Sequence, residues 1–64
     1  MQIYLKAVRE QKHMSIRQLS EKLGVARRHI EKIESERVNP SLSIMCQLAK
    51  ALEVSIFDLF SCDE

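Results

Sequence analysis

The sequence predicts an all-α fold of five short helices. Apolar residues recur at three- and four-residue spacings, serines stand where several of these patterns begin, and the two-residue alternation typical of strands is absent. Because 64 residues hold one small core and little room for an enzyme cleft, we expect a single domain over residues 1–64. An apolar content of 45% with one Gly and one Pro excludes a disordered or collagen-like chain.

The first two helices follow from apolar spacing and one capping signal. Leu5 and Val8 lie on one face of a first helix expected over about residues 2–12. Ser15 and Gln18 have the spacing of a capping box, in which each side chain accepts a hydrogen bond from the other residue's backbone. A second helix is therefore predicted to begin after Ser15.

The third helix is separated from the second by a turn at Gly24. Glycine adopts the left-handed conformation without a Cβ penalty, so the second helix should stop there. A third helix over about residues 27–35 then buries Ile30 and Ile33. At about 100° per residue, the opposite face of this helix carries Arg28, Glu31, Lys32 and Ser35.

Two further helices complete the predicted fold. Pro40 cannot continue a helix interior, and Ser41 can cap a fourth helix that ends near Glu53. Ser55 and Asp58 form a second capping box, which opens a short fifth helix. We assign Ile56, Leu59 and Phe60 to this last helix.

The charge is divided unevenly along the chain. Residues 1–37 contain nine Lys and Arg residues against five Asp and Glu residues, a net charge of +4; the remainder has one against four, a net charge of −3. This asymmetry favours a basic binding face formed by residues 1–37 and a second surface with a different function in the remainder of the chain. Ordinary scatter of surface charge stays an alternative.

The cysteines and the hydropathy of the sequence limit the cellular compartment and the kinds of chemistry that we expect for this protein. Cys46 and Cys62 form neither a Cys-x-x-Cys pair nor a disulfide framework, which favours a reducing, cytoplasmic compartment. No basic leader precedes an apolar stretch, and no run approaches the ~20 apolar residues that span a bilayer. Neither His13 nor His29 combines with these cysteines in a nucleophile or zinc pattern, so we expect no enzyme activity, metal or cofactor.

The strongest functional signal is the run over residues 18–34: a short helix, a glycine turn and a second helix, which is a helix-turn-helix. Further spaced residues surround it: Leu5-x-x-x-Arg9-x-x-Lys12-x-x-Ser15, Asn39-Pro40-Ser41-Leu42 and Leu48-Ala49-x-Ala51-Leu52-x-Val54-Ser55. With these residues, nearly the whole chain resembles the Cro and phage-repressor type of helix-turn-helix protein, the XRE family.

The resemblance implies a five-helix, lambda-repressor-like DNA-binding domain, with the helix-turn-helix over about residues 16–35 and C-terminal helices over about 41–61. Such domains act in bacteria and phages, usually as homodimeric transcriptional regulators, with the third helix in the major groove. For this chain we expect a repressor that binds an inverted-repeat operator as a homodimer. The residues implied to face the bases are Arg27, Arg28, Glu31 and Lys32. Arg and Lys donate to guanine and Glu accepts from cytosine, so a preference for G·C pairs is expected.

A second set of residues is expected to contact the DNA backbone, which fixes register without reading sequence. Its members are Ser15, Arg17, Gln18, His29, Arg37, Asn39, Ser41 and Ser43. For Ser15 and Ser41, a role as helix caps alone is an equal alternative. The resemblance also implies an ion pair between Arg9 and Glu34 that orients the third helix, against the alternative of two independent solvated side chains.

Three residues depart from the family pattern. Ala26 stands where a Ser or Thr commonly caps the recognition helix, and Ile16 stands where a Gln often touches phosphate. Glu36 occupies a position where Gly often ends the third helix. These differences affect the details of backbone contact rather than the fold.

The main alternative to DNA binding is a protein-interaction module, such as an antitoxin or a small regulator acting through a toxin or antagonist partner. The C-terminal region carries more apolar surface than one short helix hides. We expect Leu59 and Phe60 to turn inward, and Ile56 and Phe57 to form a homodimer interface, because two half-sites need a two-fold partner. The alternative is that Ile56, Phe57 and Phe60 simply close the small core.

Overall fold

The computed structural model describes residues 2–62. Its elements, in chain order, are β1 (Gln2–Ile3), α1 (Leu5–Gln11), α2 (Ile16–Leu23), α3 (Arg27–Glu34), α4 (Leu42–Leu52), α5 (Ile56–Leu59) and β2 (Phe60–Ser61). The predicted five-helix, all-α fold is confirmed, with one short strand pair added. None of these helices is both long and apolar enough to cross a bilayer.

The strand pair joins the two ends of the described chain. β1 and β2 are antiparallel, with Gln2 opposite Ser61 and Ile3 opposite Phe60, and the N–H of Tyr4 donates to the carbonyl of Leu59 over 2.7 Å. The expectations that the first helix begins near residue 2 and that Phe60 belongs to the fifth helix are therefore wrong. Strands of two residues are too short to show alternation, and their pairing is a non-local contact that helix periodicity cannot reveal.

Serine side chains begin three of the helices, as predicted. Ser15 Oγ accepts from the N–H of Gln18 over 3.0 Å, and Gln18 Oε1 accepts from the N–H of Ser15 over 2.8 Å, which completes the capping box of α2. Ser41 Oγ accepts from the N–H of Ile44 over 3.2 Å at the start of α4. A second capping box, formed by Ser55 and Asp58, opens α5.

The ends of α1 to α4 share one geometry, in which a residue with positive φ follows the helix and the next N–H reaches back five residues. At the end of α2 the residue is Gly24, with φ 70°, and the N–H of Val25 donates to the carbonyl of Ser20 over 3.2 Å. The equivalent residues after α1, α3 and α4 are His13, Glu36 and Glu53, with φ between 58° and 61°. Three helices therefore end in a conformation that favours glycine but without using one.

The core lies between the helices and fixes the position of α3. Its completely buried side chains are Leu5, Leu19, Ile30, Ile33, Leu48 and Leu59, which come from all five helices. Ile30 and Ile33 are the two residues that α3 contributes, as their spacing predicts. Since both lie on one face of α3, packing against the core leaves the opposite face of this short helix exposed.

One buried ion pair ties α1 to the end of α3. Arg9 Nε lies 2.7 Å from Glu34 Oε2, Arg9 Nη2 donates to Glu34 Oε1 over 3.3 Å, and the two side chains are 10% and 8% exposed. Arg9 Nη1 also donates to the carbonyl of Met14, in the segment before α2, over 2.8 Å. The ion pair that the family resemblance implies is thus present, and its guanidinium links three segments of the chain.

Substitutions at two helix ends are expected to change stability in opposite directions. Gly24→Ala places a residue with a Cβ in the left-handed conformation, and no atom lies within 4 Å of that added Cβ. Backbone strain alone is therefore expected to lower the free energy of unfolding, by about 1 kcal/mol. Glu36→Gly relieves the same strain and is expected to raise that free energy by about 0.5–1 kcal/mol. Urea unfolding measures both changes, and a less stable Glu36→Gly variant would contradict this account.

Removing Glu34 leaves the buried guanidinium of Arg9 without its counter-charge. We expect Glu34→Ala to lower the free energy of unfolding by about 3 kcal/mol, the cost typical of breaking a buried pair. The double variant Arg9→Met/Glu34→Leu removes both charges and is expected to recover most of the loss. Thermal unfolding of the three proteins tests this, and a Glu34→Ala variant as stable as the parent would show that the Arg9 guanidinium does not need the Glu34 carboxylate in the folded state.

Candidate nucleic-acid interface

The exposed face of α3 is polar and mainly cationic. Ile30 and Ile33 point into the core, and the side chains of Arg28, Glu31 and Lys32 on the opposite face are exposed. The helix is eight residues long, so this face presents about two turns of side chains to solvent. Such a surface offers donors and acceptors at the spacing of a helix lying along a groove.

Two shallow depressions bring the predicted base-facing residues together. One is lined by Arg28, Glu31, Lys32, Ser35 and Arg37. The other is lined by Ala26, Arg27, Arg28, His29, Glu31 and Lys32. All four predicted base-facing residues therefore share one surface, and two members of the predicted backbone set, His29 and Arg37, lie on it as well.

The first turn of α3 has no side-chain cap. Ala26 occupies the N-cap position with φ −59° and ψ 141°, and no side chain accepts from the first free N–H groups of the helix. This is the departure from the family pattern that the sequence indicates at Ala26. The free N–H groups and the cations Arg27 and Arg28 give this end of the helix a positive potential.

The start of α2 carries three residues of the predicted backbone set. Ser15 and Gln18 form the capping box, so both side chains act as caps at the start of α2. Their oxygens accept in that motif, which leaves the hydroxyl hydrogen of Ser15 and the amide hydrogens of Gln18 free to donate. Arg17 Nε lies 3.4 Å from Glu21 Oε2 in an exposed i,i+4 ion pair. Such an exposed pair is weak, so a phosphate can replace Glu21 as the partner of Arg17.

The start of α4 carries the remaining members of that set. Asn39, Ser41 and Ser43 are all exposed. Ser41 Oγ accepts from the N–H of Ile44 and so acts as the cap of α4. Ile16 of α2, another departure from the family pattern, is half-buried and packs against the core. Asn39, Ser41 and Ser43 line none of the α3 depressions.

One residue near this surface is missing from the sequence prediction. Lys6 of α1 lines a third depression together with Glu31, Glu34 and Ser35 of the α3 region. Its position depends on the packing of α1 against α3, which the Arg9–Glu34 pair fixes. No local signal distinguishes Lys6 from the other exposed lysines, so only the tertiary structure identifies it.

A second surface, at the C-terminal end, is apolar. The groove between α4 and the α5–β2 segment, here called the C-terminal groove, is lined by Met45, Ile56, Phe57, Phe60, Ser61 and Cys62. Leu59 and Phe60 are buried and Phe57 is 87% exposed, as expected from the sequence, whereas Ile56 is half-buried and packs against the core. None of the lining residues is charged.

Neither the cysteines nor the histidines form a metal-binding cluster in the described part of the chain. Cys46 and Cys62 are free and exposed. Within residues 2–62, no group of three His, Cys, Asp or Glu side chains is placed to hold a metal ion. The depressions on α3 contain the predicted base-facing residues, and the C-terminal groove contains Ile56 and Phe57, the predicted dimer residues.

Comparisons with known proteins agree with this architecture. A family profile described as "Helix-turn-helix" matches residues 5–59. An uncharacterized HTH-type transcriptional regulator of Mycobacterium tuberculosis strain H37Rv is 38% identical over 52 residues, which cover 81% of this chain and 37% of the relative. The immunity repressor protein of Bacillus phage phi105 is 36% identical over 52 residues, which cover 81% of this chain and 36% of the relative.

A third relative, an uncharacterized HTH-type transcriptional regulator of Sinorhizobium fredii, is 38% identical over 52 residues, covering 81% of this chain and 26% of its own length. The chain therefore spans about a third of the length of these relatives or less. The profile match extends from α1 to the end of α5 and includes the predicted helix-turn-helix. The resemblance noted in the sequence is confirmed, and the chain belongs to the helix-turn-helix family, in its XRE type.

Proposed function

We propose that the protein is a transcriptional regulator that binds double-stranded DNA in a sequence-specific manner, with α3 in the major groove. The observation that carries this proposal is the exposed face of α3, where Arg27, Arg28 and Lys32 stand together on a helix held by the core. A helix of this width fits the major groove, and these side chains can donate to guanine O6 and N7.

Contacts to phosphates complete the proposed interface. Arg37 lies beside the α3 face, and Arg17 projects from the exposed side of α2. Hydroxyl and amide groups at the starts of α2 and α4 supply further donors from Ser15, Gln18, Asn39, Ser41 and Ser43. Lys6 adds a cation at the other side of α3. Together these groups set the register of α3 on the duplex.

The second part of the proposal is a homodimer formed through the C-terminal groove. Phe57 is almost completely exposed, and the groove beside it is uncharged, so two copies can meet there without repulsion between like charges. A two-fold dimer matches an inverted-repeat operator, in which each copy occupies one half-site. The dimer interface then contains Ile56 and Phe57 and leaves both α3 helices free.

Repression is the outcome that we favour for DNA binding. One relative is named an immunity repressor, and a protein seated in the major groove of a promoter blocks access to the same DNA. Such a regulator acts in the cytoplasm, on the nucleoid. The proposed role needs neither a catalytic group nor a cofactor.

A second candidate function depends on the same exposed side chain, that of Phe57 in the C-terminal groove. If the C-terminal groove receives a different protein, such as a toxin or an antagonist, rather than a second copy, the chain is an interaction module. The two candidate functions can be distinguished by measurement, because a homodimer forms in the pure protein whereas a complex with a different protein needs that partner to be present.

The first test of the proposal is DNA binding with Arg28 removed. We expect the protein to prefer a duplex from its own promoter region over a scrambled duplex. Arg28→Ala should lose about 1–3 kcal/mol of binding free energy on the specific duplex and much of that preference, because a base contact is gone. Fluorescence anisotropy across a salt series measures both duplexes in parallel.

Two further variants are controls for this test. Lys50→Ala removes an exposed cation of α4 that lines a separate depression, so specific binding should be unchanged. Arg17→Ala should weaken both duplexes alike and reduce the salt slope by about one unit, as expected for a phosphate contact. Failure of the parent protein to bind either duplex would reject the DNA-binding proposal and favour the interaction module.

The dimer is tested by sedimentation at micromolar concentration. We expect the parent protein to sediment as a dimer and Phe57→Ser to sediment as a monomer, because the variant removes an exposed apolar side chain without disturbing the core. Leu42→Ser is the matched control, since Leu42 is 67% exposed but does not line the C-terminal groove. A parent protein that sediments as a 7.4 kDa monomer would contradict the dimer.

A further inference from the structure

Glu31 is an anion in the middle of the cationic face. It lines all three depressions around α3, beside Arg28 and Lys32 on one side and Lys6 on the other. The ion pairs within residues 2–62 are Arg9–Glu34 and Arg17–Glu21, so these cations do not hold the Glu31 carboxylate. Unlike Glu34, which is buried in its pair, Glu31 is exposed and points away from the core.

A carboxylate in this position weakens binding to most DNA. It is repelled by the phosphates on both sides of the groove, and it loses water when α3 enters. An ionised carboxylate is only an acceptor, whereas guanine N7 and O6, adenine N7 and thymine O4 are also acceptors. At most base pairs, therefore, the Glu31 carboxylate faces another hydrogen-bond acceptor, and the free energy of binding becomes less favourable.

Cytosine is the base whose hydrogen bond best compensates for the repulsion and the lost hydration of the Glu31 carboxylate. The donors in the major groove are the amino groups of cytosine and adenine, N4 and N6. On adenine the N7 acceptor lies next to N6, so the second carboxylate oxygen faces a lone pair there. On cytosine no acceptor of the same base adjoins N4 in the groove, and both oxygens can approach the amino group.

We propose that Glu31 is the specificity-determining residue for a cytosine in each half-site, and that it acts mainly by penalising the other bases. This inference rests on the proposed function, since it assumes that α3 lies in the major groove. Discrimination through an unfavourable contact with wrong partners is a general route to specificity. The carboxylate thereby lowers affinity for DNA in general and raises the ratio between specific and non-specific binding.

The neighbouring Arg28 extends the inference to a second base pair. Arg28 and Glu31 are three residues apart, which is about 4.5 Å along the helix axis, so their side chains lie on the same face of α3. Both residues line the same two depressions. When Glu31 accepts from a cytosine, Arg28 lies close enough on the same face to donate to a guanine of a nearby base pair.

The test is selection of binding sites from random duplexes with the parent protein and with Glu31→Gln. Glutamine has the same shape without the charge, and its amide both accepts from adenine N6 and donates to adenine N7. We expect the parent protein to select cytosine at one position of each half-site. In Glu31→Gln, the preference for cytosine over adenine should fall about tenfold or reverse, a change within the range of one side-chain contact to a base.

Two more variants complete the experiment. Glu31→Ala should lose the cytosine preference without gaining one for adenine, and the affinity of both Glu31 variants for scrambled duplex should rise, most strongly at low salt. Glu10→Gln makes the same charge change at an exposed position of α1 outside the three depressions and should select the parent motif. Circular dichroism melting checks that each variant is folded.

The outcomes separate the inference from the proposed function. A parent motif with cytosine that is unchanged in folded Glu31→Gln and Glu31→Ala overturns the role of Glu31 and leaves specific DNA binding intact. A parent motif made only of A·T pairs overturns it as well. A parent protein that selects no motif rejects sequence-specific DNA binding itself.

Discussion

The orientation of α3 depends on the buried guanidinium of Arg9. It holds Glu34 at the end of α3 and the carbonyl of Met14 before α2, and so it joins α1 to both halves of the helix-turn-helix. Apolar packing of Ile30 and Ile33 attaches α3 to the core but is tolerant of small rotations. A bidentate ion pair is directional, so the pair restricts which side chains α3 turns towards a partner.

The helix ends show how much local strain so small a domain carries. Four helices end in the same left-handed conformation, and Glu or His occupies it in three of them. Each non-glycine residue there costs about 1 kcal/mol, against a total stability of about 5–15 kcal/mol for a typical domain. The serine caps and the strand pair between the chain ends offset part of this cost.

The two exposed surfaces have opposite chemistry and share no residue. The α3 face is polar and cationic with Glu31 at its centre, whereas the C-terminal groove is apolar and uncharged. DNA binding and self-association are therefore separable by substitution, one governed by charge and hydrogen bonding and the other by apolar burial. The proposed regulator uses both surfaces, because weak binding to one half-site becomes strong when two linked copies engage an inverted repeat.

The sequence by itself determines the helices, their serine caps and the polar face of α3, because each of these depends on residues three or four positions apart. The family resemblance adds the Arg9–Glu34 pair, whose members are far apart in the chain. Only the tertiary structure decides that Lys6 adjoins Glu31 and that residues 2–3 pair with residues 60–61. These contacts join segments distant in sequence, so they follow from packing rather than from any local pattern.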